Sequence, residues 1–129
     1  MRLLSPLTRV GYAYHNEDVN TLTDRHQQSL LSYYIPSQEV LERLASFYGI
    51  FSDPTRVKIL SALSISELCV TDIARFCRLE QTTVSHQLRI LKSKGLVSSR
   101  REGKIIYYAI LTPYVAKCLE VGSDYLARR

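Results

Sequence analysis

A short helix and a tight turn lead into a longer helix with a polar outer side, and a basic β-hairpin follows at once. This order predicts a mainly α fold with a small β-hairpin, a winged helix-turn-helix. Composition agrees. The 129 residues are 46% apolar and 22% charged, which suits one globular domain. Residues 1–20 lack clean periodicity and are read as an arm, with residues 21–129 as the domain. There is no apolar run of about 18 residues, so no membrane span is expected. Met1 to Pro6 has no continuous apolar stretch, so no secretory signal is expected either. Three cysteines without finger or framework spacing suggest a cytoplasmic protein with reduced thiols.

Each element has a local cause. Thr21-Leu22-Thr23-Asp24 looks like a helix start, and Pro36 would stop that helix after Tyr34. Ser37 can cap the next helix, whose apolar set is Val40, Leu41, Leu44, Phe47, Tyr48 and Phe51. Asp53-Pro54 is a cap followed by a first-turn proline, opening a helix with Val57, Leu60 and Leu63 inward. Ser64 to Val70 reads as extended. Thr71 can cap a brief helix over 72–77 that buries Ile73 and Phe76. After a four-residue connection, 78–81, a longer helix buries Val84, Leu88 and Leu91 and ends at Lys94-Gly95. Leu96–Arg101 and Ile105–Ile110 flank a turn with Gly103 and form the hairpin. Thr112-Pro113 opens a last helix with a wide stripe: Tyr114, Val115, Cys118, Leu119, Gly122, Tyr125 and Leu126.

Charge is concentrated. The net charge is +5, and residues 81–108 hold six basic residues against one acidic, so this segment alone accounts for +5. A clustered positive face suggests a polyanion, nucleic acid first. On the longer helix, Thr82, Thr83, Ser85, His86, Gln87, Arg89 and Lys92 lie away from the apolar side. These groups can donate to phosphates and read base edges, with Arg89 and Gln87 the best base readers because each bonds bidentately. Arg100, Arg101 and Lys104 flank the hairpin turn, where a basic wing can reach phosphates or the minor groove. A solvated helix face and edge-strand protection are the competing readings of the same residues. Helix and wing together favour double-stranded DNA as the partner.

Several segments then resemble one family in order. They are Ser52-Asp53-Pro54-Thr55-Arg56-Val57-Lys58-Ile59-Leu60, Glu67-Leu68-Cys69-Val70-Thr71-Asp72-Ile73-Ala74 and Thr83-Val84-Ser85-His86-Gln87-Leu88-Arg89-Ile90-Leu91. Gly95-Leu96-Val97, the 100–104 turn and Tyr107-Tyr108 complete the set. The chain resembles the arsenic-repressor (ArsR/SmtB) family of winged-helix transcriptional repressors. The resemblance implies a homodimer formed by the N- and C-terminal helices. It also implies repression of a neighbouring operon, released by an inducer.

The same resemblance frames the inducer. One metal placement of the family uses two cysteines in the ELCVC segment. Here Cys69 holds the first position and Thr71 replaces the second. Another uses the last helix, where the matching positions are Thr112, Tyr114, Tyr125 and Arg128, a set without zinc donors. A reduced site remains, with Cys69 joined by His15, Glu17, Asp18 or His26 from the partner's arm, suited to zinc or another divalent metal. Packing under the recognition motif is the plainer role for Cys69. A thiol switch through Cys77 and Cys118 is the other option, with Arg78 placed to acidify a neighbouring thiol. Against it, Cys118 can simply be seam packing.

No nucleophile elbow, phosphate loop or His-Glu-x-x-His stretch occurs, so an enzyme is not expected. The rival to operator binding is a winged-helix module that binds protein, whose affinity would be insensitive to salt.

Overall fold

The computed structural model describes residues 24–128. The chain divides into two compact units, residues 1–49 and 50–129.

In the first unit, helix α1 spans Arg25–Tyr34 and α2 spans Gln38–Gly49. Thr21 lies outside the described residues, and α1 is capped by Asp24 itself. The Asp24 carboxylate accepts from Gln27 N at 2.8 Å, and Gln27 Oε1 accepts from Asp24 N at 3.3 Å. That reciprocal box satisfies two backbone donors at the helix start. Pro36 separates the helices, and Ser37 Oγ accepts from Val40 N at 3.4 Å to begin α2. Phe51, expected on α2, falls instead in a 3-10 turn, Ile50–Ser52, which opens the second unit.

That unit continues with α3 (Pro54–Ile65), β1 (Leu68–Cys69), α4 (Val70–Cys77) and α5 (Gln81–Ser93). The hairpin β2 (Val97–Glu102) and β3 (Ile105–Ile110) leads to α6 (Pro113–Ala127). The motif opening α3 is a local brace. Asp53 Oδ1 accepts from Thr55 N at 3.1 Å, its other oxygen pairs with Arg56 at 3.3 Å, and Arg56 Nε donates to Ile50 O at 3.0 Å. The core of this unit is built on Ile59, Leu60, Ile73, Val84, Leu88, Leu91, Val97 and Val115. Ile59, rather than Val57, joins Leu60 and Leu63 inside; Val57 is half-buried.

The extended stretch is shorter than expected. Helix α3 continues through Ile65, and only Leu68–Cys69 is strand. This strand adds to the hairpin in an antiparallel sheet of order β1-β3-β2, with Leu68 opposite Tyr108 and Cys69 opposite Tyr107. Pairing holds Cys69 extended, so α4 starts directly after it and Thr71 lies inside the helix rather than capping it. Phe76, expected inside, is 71% exposed; Ile73, Ala74 and Cys77 form the inner side of α4.

The connection from α4 to α5 is Arg78–Glu80, one residue shorter than expected. It turns on Arg78, which sits at φ 56°, ψ 50°. Leu79 N donates to Ala74 O at 2.9 Å and Arg78 N to Arg75 O at 3.4 Å, the two bonds of a Schellman close. Helix α5 ends the same way on Gly95 (φ 74°), with Leu96 N to Leu91 O and Gly95 N to Lys92 O both at 3.0 Å. In the hairpin, Glu102 faces Ile105, which leaves Gly103-Lys104 as a two-residue loop. Gly103 has φ 63° and Lys104 does not, the pattern of a type II′ turn.

Candidate nucleic-acid interface

Helix α5 is anchored from below by Val84, Leu88 and Leu91, all fully buried. At about 100° per residue, Ser85, Arg89, Thr82 and His86 fall on the opposite side, and Lys92, about 80° from Val84, lies at its margin. All five are exposed. Thr83 and Gln87 are half-buried at the margins. Gln87 lies about 60° from Val84 on the helix wheel, closer to the core than to the outer face. Its Oε1 is buried and has no hydrogen-bond partner among the described residues. Gln87 therefore does not present the bidentate edge expected of it. The helix angle sets this orientation, because amide chemistry alone says nothing about which way a residue points.

The basic side chains of the wing divide into two groups. Lys104 occupies the exposed loop, and Arg101 is exposed with Nε donating to Gly103 O at 3.1 Å. Arg100 is already engaged. Its Nε donates to Glu67 Oε1 at 2.7 Å, its Nη1 pairs with Glu102 Oε2 at 2.7 Å, and its guanidinium lies 4.7 Å from the centre of the Tyr107 ring. The two carboxylates push the Arg100 pKa further up, so its charge is permanent and locally balanced. Lys92 is also engaged: Nζ donates to Ser99 Oγ at 2.7 Å, linking α5 to β2. Two cations expected to meet phosphate thus make bonds inside the protein.

Among the described residues, no three His, Cys, Asp or Glu side chains come together as a metal site. Cys69 is half-buried at the start of α4. His26 lies on α1 in the other unit, and His15 lies outside the described residues. On α6, Tyr114 and Tyr125 are exposed, and Arg128 pairs with Asp124 at 3.2 Å. All three described cysteines are free. Burial pushes the Cys77 thiol up, with Lys58 pulling weakly the other way. The cation acting on this thiol is Lys58 and not Arg78, and burial outweighs it. Cys118 is raised by burial too. The Cys77 Sγ points at Lys58 O, 3.8 Å away.

Comparison with known proteins agrees with this geometry. The "Bacterial regulatory protein, arsR family" pattern matches residues 53–99. A transcriptional repressor SmtB homolog of Synechocystis is 37% identical over 92 residues, 71% of this chain and 70% of that protein. The cadmium resistance transcriptional regulatory protein CadC of Listeria innocua is 35% identical over 112 residues, 86% of each chain. The chain belongs to the arsR family. As a member of that family it is a DNA-binding transcriptional regulator and not an enzyme. The crystal structure of the AntR antimony-specific transcriptional repressor superposes with a TM-score of 0.70 at 27% identity, over 85% of this chain and 96% of that one. A homodimeric winged helix-turn-helix DNA-binding domain from Mycobacterium bovis superposes with a TM-score of 0.63 at 28% identity, over 86% and 93%. In this arsR-family chain, no described helix is long and apolar enough to cross a membrane.

Proposed function

We propose that this arsR-family regulator is a homodimeric cytoplasmic repressor that binds operator DNA through the outer face of α5 and the tip of the wing. The observation that carries this reading is the exposed row Thr82, Ser85, His86 and Arg89 on a helix whose other side is fixed in the core. Such a helix can enter a major groove without moving. Thr82 and Ser85, near its N-terminus, suit phosphate contacts, and Arg89 is the base reader. Thr83, beside them, is half-buried and contributes at the margin. Arg101 and Lys104 extend the contact to the flanking backbone. Support for the homodimer comes from apolar side chains left outside on each outer helix: Leu30, Leu31 and Tyr33 on α1, and Tyr114, Val121, Tyr125 and Leu126 on α6. The homodimeric relative from Mycobacterium bovis supports it as well.

A metal inducer is suggested by the cadmium-resistance relatives, with Cys69 as the donor in the described structure and His15 and His26 as its candidate companions. The described residues of one chain bring no three such donors together. The thiol pair Cys77 and Cys118 is the weaker sensor, since burial holds both thiols protonated.

The test is binding of the reduced protein to the DNA just upstream of its own gene, followed by fluorescence anisotropy across a salt series, with and without zinc. Operator binding predicts affinity that falls steeply with salt. Arg89→Ala should cost about 1–3 kcal/mol and relax sequence preference. Lys104→Ala should weaken binding to all sequences alike and lower the salt slope by about one. Affinity indifferent to salt and to both substitutions would mean a protein-binding module instead. Zinc that releases the DNA supports Cys69 as a ligand, and release that survives Cys69→Ser removes it.

A further inference from the structure

The wing of this protein contains a cation that the proposed DNA contact does not use. Cys69, Tyr107 and Arg100 lie in one row across the three strands, because Cys69 faces Tyr107 and Tyr107 faces Arg100. Directly opposed residues of an antiparallel sheet share a face. Residues two apart on a strand share it too, so Glu102 joins Arg100. Glu67, just before β1, reaches the same cluster. Arg100 therefore spans the sheet, held by Glu67 from the β1 side and by Glu102 from its own strand, with Tyr107 beneath.

We infer that Arg100 is a positioning residue that fastens the wing to the segment opening the helix-turn-helix, rather than a phosphate contact of the wing. The chain of parts is short. Residue 69 is both the end of β1 and the N-cap of α4. Helix α4 packs on α5. A clamp from Arg100 to Glu67 thus relates the wing tip to the recognition helix through β1 and α4. The Lys92–Ser99 bond relates them directly. Exposed single ion pairs hold little, but a guanidinium shared by two carboxylates and stacked on a ring is a fixed geometry. A lysine keeps the charge and loses that fork.

This inference rests on the operator-binding reading, and three variants with two readouts separate the two. Arg100→Lys should weaken operator binding about tenfold, the size of coupling usual within one ion-pair network. Arg100→Gln should weaken it similarly with an unchanged salt slope, because no phosphate partner is lost. Glu67→Gln should also weaken it. On charge alone, removing an anion near DNA would tighten binding, so the sign decides. A phosphate contact would instead tolerate Lys, lose about one unit of salt slope in Arg100→Gln, and gain affinity in Glu67→Gln; any of these overturns the inference. Amide hydrogen exchange of the free protein gives the second readout. Residues 97–110 should exchange faster in Arg100→Lys and in Glu67→Gln, with circular dichroism showing an intact fold. Unchanged exchange overturns the clamp even if no operator is found. Faster exchange together with salt-insensitive binding keeps the clamp and rejects the operator reading.

Discussion

At the scale of single residues, backbone conformation and burial explain more than side-chain chemistry does. Arg78 carries the turn between α4 and α5 at a positive φ, where an L side chain crowds its own backbone at about 1–2 kcal/mol. Arg78→Gly removes that crowding and returns about half of it as lost chain entropy. It should stabilise the fold by about 0.5–1 kcal/mol, read from urea unfolding. Cys77 gives a prediction in pH. Its folded pKa lies above the ordinary 9.0, so the folded state keeps its proton longer than the unfolded state does. Its contribution to stability is full below pH 9 and is lost as pH rises from there through the folded value. Stability measured between neutral pH and 11 should decline above about 9, and Cys77→Ala should flatten that decline. The residue missed most clearly from sequence is Gln87. Its side chain suggests a base reader, and its angle on the helix turns it inward.

At the scale of elements, a charge-assisted bond ties the helix-turn-helix to the helix before it, beside their buried apolar packing. Lys58 on α3 donates Nζ to Cys77 O at 3.0 Å, setting a cation on the open carbonyls at the end of α4. Lys58→Ala should cost about 1 kcal/mol, the usual size of a charge-assisted bond near a helix end. The recognition helix depends on its buried row. Leu88→Ala should cost about 2–5 kcal/mol by leaving a cavity under the DNA face. Calorimetry and anisotropy on the same samples check that stability and operator affinity fall together. The elements most legible in sequence were those with chemical punctuation: Asp53-Pro54, Thr112-Pro113, Lys94-Gly95 and the glycine turn at 103. The least legible was 64–71. No local signal in that stretch says that it pairs with β3, and that pairing decides where α4 begins.

At the scale of the whole molecule, two properties follow from how much surface is left apolar and where the charge sits. Val121 on α6 is 69% exposed, and Tyr125 and Leu126 beside it are 61% and 65% exposed. For the proposed homodimer, Val121→Glu should shift the protein to monomer in sedimentation velocity. Operator affinity should fall by at least about tenfold, because binding one half-site no longer raises the local concentration at the other. An unchanged dimer would place the seam elsewhere. The net charge of +5 already includes Glu67 and Glu102; because these two carboxylates surround Arg100, the positive face is carried by the other cations of α5 and the wing.

The sequence by itself determined the family, the order of helices and hairpin, and the side of α5 that carries the polar row. These are local matters: helix caps, glycine turns and a 3.6-residue period are written in neighbouring residues. The tertiary structure alone decided which cations of the wing remain free. Glu67 lies 33 residues from Arg100 in sequence, yet strand pairing brings their charges together. No spacing rule predicts a bond across such a distance, because it exists only once β1 has found β3.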